Sequence, residues 1–280
     1  MKGGGVLGIA YAGSLKVLEE NNILQGIEKV AGTSAGSIVS TLVALKYTAK
    51  EIYDIVNTLD FKSFEDGLNP FRVISEYGLY KGDFALSWLH SIVDKKAGQN
   101  ATFLDLRKQG FLDLHVIATN LRSRNYEIFS FDTTPDVMVA EAIRASMSIP
   151  IFFDAFKFSN WNTDTVYEDG GVMLNYPISI FDKTNAPSDT LGFYLHDVNQ
   201  IANEPVSYGH LGEYIKASFD CSLSAQDAYV LGSPEILKRT IIIDDLGISA
   251  TNFSLSNDQK QELYQSGITA AENYLKNKQL

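Results

Sequence analysis

The chain has 280 residues, of which 45% are hydrophobic and 20% are charged, and this is the composition of a folded domain rather than of a disordered segment. Its formal net charge of −11 argues against nucleic acid as a partner, because neutralising phosphates requires clustered Lys and Arg. Cys221 is the only cysteine in the sequence, which excludes a disulfide within the chain and a cysteine-rich metal site.

The N-terminus imitates a signal peptide, since Lys2 and a short apolar stretch precede Ala10-Tyr11-Ala12. The apolar core, Val6 to Tyr11, is too short for a signal peptide and contains a glycine. No run elsewhere in the sequence approaches the ~20 apolar residues that span a bilayer. We therefore predict neither a signal peptide nor a transmembrane segment, and a location in the cytoplasm or at the periphery of a membrane.

Helix and strand patterns alternate along the chain, which predicts an α/β layered fold with a largely parallel central sheet. Apolar periodicity, capping boxes and terminating glycines set the bounds of the predicted elements. In the first hundred residues these are helices at 8–20 and 35–45 with a strand at 29–31 between them, a helix opened by a capping box at 48–51, and a helix from an Asp83 cap to Gly98.

The rest of the chain continues the alternation without an internal repeat or a linker, so we predict one domain over residues 1–280. A proline at the first position of a helix is favourable, and Thr134-Pro135 is therefore expected to open one. The predicted elements are strands at 115–121 and 127–131 joined by a turn at 122–125, a helix from Thr134 to about 145, strands at 190–195 and 240–243, and a helix from a capping box at 256–259 to about 276.

The pentapeptide GTSAG at residues 32–36 is a G-x-S-x-G that follows a predicted strand and opens a predicted helix. A turn this sharp holds its serine, Ser34, in a strained backbone conformation with the hydroxyl at the apex. Gly32 and Gly36 suit the motif because the flanking strand and helix approach too closely for Cβ atoms. The start of the helix also offers N–H donors to a forming oxyanion. The pattern favours a nucleophile elbow, and the alternative is a glycine-flanked helix cap.

The segment GGGVLG at residues 3–8 fits the pattern G-x-G-x-x-G. As a dinucleotide fingerprint it requires an acidic residue at the end of the following strand, about 20 residues on. Glu19 and Glu20 lie near that distance but inside the predicted helix, so the fingerprint fails. As an oxyanion hole it requires only backbone N–H groups with no side chains in the way, which Gly3, Gly4 and Gly5 supply.

The third element is Asp169-Gly170-Gly171, which follows a possible strand end at 166–168. An aspartate before two glycines is by default a turn. At the end of a strand, however, it lies where a parallel sheet presents its catalytic side.

A glycine-rich loop, a G-x-S-x-G after a strand and a D-G-G about 135 residues later (169 − 34) together resemble the patatin-like phospholipase family. The resemblance extends from residue 2 to about residue 177 and includes RASMSIP at 144–150, which is similar to the family's A-S-x-x-x-P segment. It implies a three-layer α/β/α fold, with Ser34 as the nucleophile, Asp169 as the proton acceptor and the amides of Gly3, Gly4 and Gly5 as the oxyanion hole. The glycines that support these motifs are Gly8, Gly32, Gly36, Gly170 and Gly171.

The family cleaves fatty acyl esters of lipids with a Ser–Asp dyad, without a histidine, a cofactor or a catalytic metal. The resemblance therefore implies a serine hydrolase of lipid degradation that meets its lipid substrate at a membrane or micelle surface. Two positions depart from the family pattern. Only Met1 and Lys2 precede the glycine loop, where the family has a strand, so we expect a less firmly held loop. Leu7 stands where the family usually carries Arg or Lys.

Other functions stay open on the sequence alone. An acyltransferase would use the same dyad and pass the acyl group to a thiol or alcohol, and a scaffold of the same fold would have no activity. A Ser–His–Asp arrangement also stays open, because its members need only meet in space. The four histidines are scattered and form no H-E-x-x-H or H-x-x-E-H metal pattern.

Rival residues exist for each role. Asp154 and Asp164 are alternatives to Asp169 but lack its glycines, and Ser146 is an alternative nucleophile without an elbow. The aromatic segment at residues 61–71 is either a lipid-facing lid or an irregular loop packed on the core, and its turn residues favour the loop.

Overall fold

The computed structural model describes residues 1–159, 161, 164–198, 209 and 211–278, and it confirms the α/β class. The helices are α1 (Ile9–Glu20), α2 (Ala35–Ala44), α3 (Ala49–Thr58), α4 (Arg72–Ser75), α5 (Asp83–Ala97), α6 (Phe103–Lys108), α7 (Val139–Ser146), α8 (Leu211–Leu231), α9 (Pro234–Leu237) and α10 (Asn257–Lys278). The strands are β1 (Lys29–Thr33), β2 (Gly78–Tyr80), β3 (Asp113–Asn120), β4 (Asn125–Phe129), β5 (Ile151–Phe153), β6 (Tyr167–Asp169), β7 (Gly192–His196) and β8 (Thr240–Asp244). Within the described residues, no helix is both long enough and apolar enough to cross a membrane.

The strand that precedes Ser34 belongs to a mixed sheet. Here β3 pairs in parallel with β1 along one edge and antiparallel with β4 along the other. Beyond the end of β1, on the same edge of β3, β6 pairs antiparallel with β3. Two further pairs, β2 with β5 and β7 with β8, are parallel. The carboxyl ends of β1 and β6 therefore meet alongside β3.

Residues 1 and 2 lie between β1 and β7. The Met1 nitrogen donates to the Ala31 carbonyl (2.6 Å), and the Thr33 N–H donates to the Met1 carbonyl (3.3 Å). On the other side, the Lys2 N–H donates to the Phe193 carbonyl (3.1 Å). These bonds link the β7–β8 pair to the mixed sheet. The glycine loop thus begins from a residue that is held on both sides, contrary to the weak support expected from the sequence.

The helices pack on these sheets around one large buried apolar cluster, which joins α1, α2, α3, α5 and α7 to β1, β3, β7 and β8. α2 packs on β1 and β3, and α7 packs on β3 and β6. α1 packs on α10 through two glycines, since a Cβ at Gly13 would lie 2.0 Å from the Tyr264 carbonyl oxygen and one at Gly267 would lie 1.9 Å from that of Ala10. The two helix backbones are therefore in direct contact.

Two predicted helix starts were wrong. Asp83 is the first helical residue of α5 rather than its cap, which is Gly82 with a φ of 74°. The Asp66 carboxylate, 16 residues earlier, accepts from the N–H groups of Gly82 (2.7 Å) and Phe84 (2.7 Å) and so satisfies the helix start.

The helix expected from Thr134 begins instead at Val139. The Thr134 hydroxyl accepts from the Ser130 N–H (3.2 Å), and the Thr134 N–H donates to the Ser130 carbonyl (2.9 Å), so the threonine closes a turn. Met138 is extended and forms an antiparallel bridge with Thr102, which prevents the helix from starting earlier.

Candidate active site

Ser34 occupies the sharp turn between β1 and α2, as predicted from the pentapeptide. Its φ is 52° and its ψ is −124°, a combination that side-chain-bearing residues rarely adopt. The Ser34 N–H donates to the Ser146 Oγ (2.8 Å), and the Ser146 hydroxyl donates to the Ile117 carbonyl (2.5 Å). Ser146 is completely buried, so this rival nucleophile serves instead to tie the strained turn to β3.

Glycine is required at positions 32 and 36 because backbone atoms lie too close to both residues to leave room for a Cβ atom. A Cβ at Gly32 would lie 2.1 Å from the Gly36 carbonyl oxygen, and a Cβ at Gly36 would lie 2.5 Å from that of Met1. Gly8 is less constrained, because its Cβ would meet that of Ala35 at an ordinary 3.4 Å. The glycines of the pentapeptide therefore let β1, α2 and the N-terminal segment pack against one another.

Asp169 ends β6 and is brought to Ser34 by the strand register. Thr33 stands opposite Ile117 and Asp169 stands opposite Ala118, so the two strand ends are adjacent along β3. β6 runs antiparallel to β3, and the expectation that Asp169 lies on the carboxyl edge of a parallel sheet was wrong in this respect. The two residues meet because the strands approach from opposite directions.

The carboxyl group of Asp169 is held in place while one of its oxygens stays open. Oδ1 accepts from the Gly171 N–H (2.7 Å), and the Asp169 N–H donates to the Ser148 carbonyl (2.7 Å). Oδ2 is buried and has no hydrogen-bond partner among the described residues. Burial raises the pKa of Asp169 to about 6, and the nearby Ser34 hydroxyl and the Gly171 N–H limit the rise. The Ser34 hydroxyl thus lies close to Asp169 without forming a full hydrogen bond in this conformation.

The two glycines after Asp169 lie where neighbouring atoms leave little or no room for a side chain. A Cβ at Gly170 would lie 2.3 Å from the Ile117 carbonyl oxygen, and one at Gly171 would lie 3.0 Å from the Asn175 Oδ1. The turn at Gly170 and Gly171 can therefore lie this close to β3 only because these residues have no side chains.

The glycine loop passes next to Ser34, and its three amides differ. The Gly3 N–H donates to the Asn175 carbonyl (3.0 Å), so it is not free to bind an oxyanion, and this corrects the prediction for Gly3. The N–H groups of Gly4 and Gly5 have no partner among the described residues. Gly5 has a φ of 54°, which favours glycine. Two of the three predicted donors therefore stay available, beside the amide of Ala35 at the start of α2.

Two cavities meet at Ser34. The first is a cleft of about 600 Å³, whose lining includes Gly3–Gly5, Ser34, Asp169, residues 149–152 and several residues of α8. The second is a narrow pocket of about 50 Å³ whose lining is almost wholly apolar. The side chains that close it include Ile38, Val56, Phe61, Phe64, Trp88 and Phe253. Ser34 thus stands between a wide cleft, which carries some polar side chains, and a narrow apolar pocket.

Residues 1–182 match the patatin-like phospholipase family. The chain belongs to this family. It is 32% identical over 292 residues to the uncharacterized protein YqhO of Bacillus subtilis (strain 168), covering 98% of this chain and 96% of YqhO. It is 29% identical over 187 residues to the probable lipid hydrolase 463L of Invertebrate iridescent virus 6, covering 64% of this chain and 61% of that protein.

The fold is also similar to a solved structure. The crystal structure of VipD from Legionella pneumophila superposes with a TM-score of 0.66 at 17% identity, covering 99% of this chain and 66% of that one. The patatin-like fold thus extends over the whole described chain, beyond the residues that carry the family's motifs.

The patatin-like site contains residues that sequence reasoning missed. Asn175, four positions after Gly171, holds Gly3 through its carbonyl and lines the cleft. Lys2 is buried; its Nζ pairs with Asp227 (2.9 Å) on α8 and donates to the Leu195 carbonyl (2.9 Å). The signal for Lys2 is its position directly before the loop, whereas nothing local indicates that α8 lies opposite.

The rival acids and the histidines lie elsewhere. Asp154 forms an ion pair with Arg72, Asp164 is exposed, and neither lines a cavity at Ser34. Among the described residues, no histidine lines either cavity. His210 lies outside the described residues.

In the part of the chain that the structure describes, two groups of side chains have ligand atoms within 4.8 Å of one another, close enough to share a cation. They are Asp113, His115 and Asp132, and Asp197, Asp244 and Asp245. Neither group includes Ser34 or Asp169.

The aromatic segment at 61–71 divides into two parts. Phe61 and Phe64 are buried and close the apolar pocket, whereas Leu68 and Phe71 are 61% and 82% exposed. The segment is therefore packed on the core at its start and exposed at its end.

Proposed function

We propose that this chain is a lipid acyl hydrolase in which Ser34 attacks the carbonyl carbon of a fatty acyl ester and Asp169 accepts the serine proton. The observation that carries the proposal is the position of Ser34, on a strained turn beside a buried carboxyl oxygen that has no partner among the described residues. The family membership and the name of the viral relative, a probable lipid hydrolase, support the same reaction class.

The two cavities fit the two halves of an acyl ester. The almost wholly apolar pocket behind Ser34 suits a hydrocarbon chain, because burying each methylene is worth ~0.8 kcal/mol. The cleft, which is wider and carries polar side chains, suits the alcohol or head group. An acyl ester that has its acyl chain in the pocket and its alcohol part in the cleft places its carbonyl carbon at Ser34.

The proton transfer follows from the state of Asp169. With a pKa of about 6, the carboxyl is ionised at neutral pH yet more basic than an exposed aspartate. Its open Oδ2 takes the proton of the Ser34 hydroxyl as Oγ bonds to the carbonyl carbon. The carbonyl oxygen becomes an oxyanion next to the amides of Gly4, Gly5 and Ala35, and such a donor typically contributes ~2.7–4 kcal/mol to the transition state.

The cycle closes by the reverse transfers. The tetrahedral intermediate expels the alcohol, which takes the proton from Asp169 and leaves an acyl ester on Ser34. Asp169 then takes a proton from a water molecule, whose oxygen attacks the acyl carbon. Collapse of the second intermediate releases the fatty acid and returns the proton to Ser34.

A fluorophosphonate probe tests the nucleophile, with the modified peptide mapped by mass spectrometry. We expect one label on Ser34, no label in Ser34→Ala, and normal labelling in Ser188→Ala, a matched control at an exposed serine. Labelling of Ser146 in place of Ser34, or no labelling of the folded protein, would contradict the proposal.

A further inference from the structure

Four large apolar side chains project from residues 68–77, immediately after the buried part of the aromatic segment. Leu68, Phe71, Ile74 and Tyr77 are 61%, 82%, 84% and 49% exposed. They recur at every third position of the sequence, and we name these four side chains together the apolar row. Within the described residues, no other stretch of this length exposes as many large apolar side chains. Burial in the chain's own core does not account for them.

The segment that carries the apolar row is fixed at its base. The Asn69 N–H donates to the Leu79 carbonyl (3.1 Å) in β2, and the Ala155 N–H donates to the Glu76 carbonyl (3.2 Å). Arg72 forms an ion pair with Asp154. The apolar row is therefore exposed on a segment that is held to the rest of the domain by hydrogen bonds and an ion pair.

The base of the apolar row borders the cleft. Leu79 lines the cleft, and β2 pairs with β5, from which Ile151 and Phe152 also line it. A surface that receives the row is thus next to the opening through which a substrate reaches Ser34.

The charges around the apolar row do not favour an anionic surface. Between residues 65 and 81 the basic residues are Arg72, which is paired with Asp154, and Lys81, whose side chain lies beside Gly67, whereas Glu65, Asp66 and Glu76 are acidic. The chain as a whole carries a net charge of −11. Four side chains are also few for a stable protein partner, which typically covers about 800 Å² on each side.

We propose that the apolar row docks the enzyme on the surface of a zwitterionic phospholipid bilayer, with Phe71 and Ile74 inserted among the lipids beside the cleft opening. This rests on the proposed function, since it identifies the surface from which the acyl ester enters. Insertion relies on apolar burial, and salt does not screen that contribution.

Vesicle sedimentation in a Ser34→Ala background measures docking without hydrolysis of the lipid. On phosphatidylcholine vesicles we expect Phe71→Ser with Ile74→Ser to weaken binding at least tenfold, since both substitutions remove apolar surface that insertion would bury. The matched control, Tyr126→Ser with Tyr229→Ser, removes two other exposed aromatic residues (41% and 73%) and is expected to bind within about twofold of its parent. Raising the salt concentration is expected to leave binding unchanged.

Three results would overturn the docking proposal: equal vesicle binding by the Phe71/Ile74 variant and its parent, binding that requires anionic lipid and is lost in salt, or a dimer in light scattering that the variant abolishes. A second assay separates the docking proposal from the proposed hydrolase function. It measures hydrolysis of a soluble short-chain ester by the Phe71→Ser, Ile74→Ser variant with Ser34 intact. We expect that rate to stay within about threefold of the parent. If the parent itself does not hydrolyse the ester, the proposed function fails, while the vesicle result still stands for or against docking.

Discussion

Two neighbouring acids at the end of β6 are buried and have different ionisation states. Burial raises the pKa of Glu168 to about 8 and that of Asp169 to about 6. The Asp169 charge contributes to the rise for Glu168, whereas the Gly171 N–H and the Ser34 hydroxyl stabilise the Asp169 carboxylate. At neutral pH the residue proposed as base is therefore ionised, and its neighbour is mostly protonated.

The raised pKa of Asp169 predicts how hydrolysis depends on pH. Because the base must be ionised, we expect kcat/KM on a soluble ester to rise with pH through about 6 and then level off. Glu168→Gln is expected to keep this midpoint, since Glu168 is already neutral at pH 6. A midpoint near 7 that disappears in a histidine variant would contradict the assignment.

The stability of the fold should also respond to Glu168. Its pKa is higher in the folded than in the unfolded chain, so its contribution to stability is present below about 4.5 and is lost as the pH rises through about 8. We therefore expect Glu168→Gln to melt at the wild-type temperature near pH 4.5 and clearly above it at pH 9. Glu262→Gln, at an exposed position, serves as the control and should show no such difference. A melting difference that does not depend on pH would refute this account.

Among the helices, the features that depend on neighbouring residues were predicted from the sequence. The features that depend on a contact with a distant segment were not. The capping boxes at Thr48 and Ser256 form as predicted, because each bond joins groups three residues apart. The start of α5 was misassigned because its first N–H groups donate to the carboxylate of Asp66, which the chain brings there from another segment. The same limit applies to the candidate site. The sequence proposed Ser34 and Asp169, which the strand register brings together, but a strand of three residues carries no signal of its direction.

The close approach around the Ser34 turn gives a prediction for Gly36. Alanine is a better helix former than glycine by ~1 kcal/mol, and α2 should gain that amount. A Cβ at Gly36 would, however, lie 2.5 Å from the Met1 carbonyl oxygen, and such overpacking typically costs ~1–3 kcal/mol. We expect Gly36→Ala to lower the free energy of unfolding in urea and to reduce turnover.

The control for this substitution is Gly26→Ala, because no atom lies within 4 Å of a Cβ at Gly26. It should leave both the free energy of unfolding and turnover close to those of the parent. Equal stability of the Gly36 and Gly26 variants would show that the turn tolerates a side chain, against the packing described above.

At the scale of the whole molecule, the cleft draws on both ends of the chain. The proposed reacting groups lie in the part that matches the family, residues 1–182, whereas α8, Leu195 and residues 248–251, which also line the cleft, lie beyond that part. The family motifs therefore carry the proposed chemistry, whereas much of the cleft lining comes from sequence without a motif. Pairing of Lys2 with Asp227 joins the two parts directly.

The apolar pocket predicts how the chain selects an acyl group. Phe64 and Trp88 close a pocket of about 50 Å³, so enlarging it should favour longer acyl chains. We expect Phe64→Ala to raise the ratio of kcat/KM for a twelve-carbon over a four-carbon ester by about tenfold, because each accommodated methylene contributes ~0.8 kcal/mol. Tyr229→Ala, which lies outside this pocket, should keep the ratio. An unchanged ratio in the Phe64 variant would show that the acyl chain lies elsewhere.

The central claim is that an aspartate, rather than a histidine, activates Ser34, and the hydrolysis rate of Asp169→Asn on a soluble ester tests it most directly. The substitution keeps the Oδ1 acceptor for Gly171 and removes the base, so we expect kcat to fall by ~10²–10⁴, close to the loss in Ser34→Ala. Asp164→Asn and single Gln variants of the four histidines, His210 included, should stay within about tenfold of the parent. An active Asp169→Asn, together with a histidine variant as inactive as Ser34→Ala, would contradict the claim.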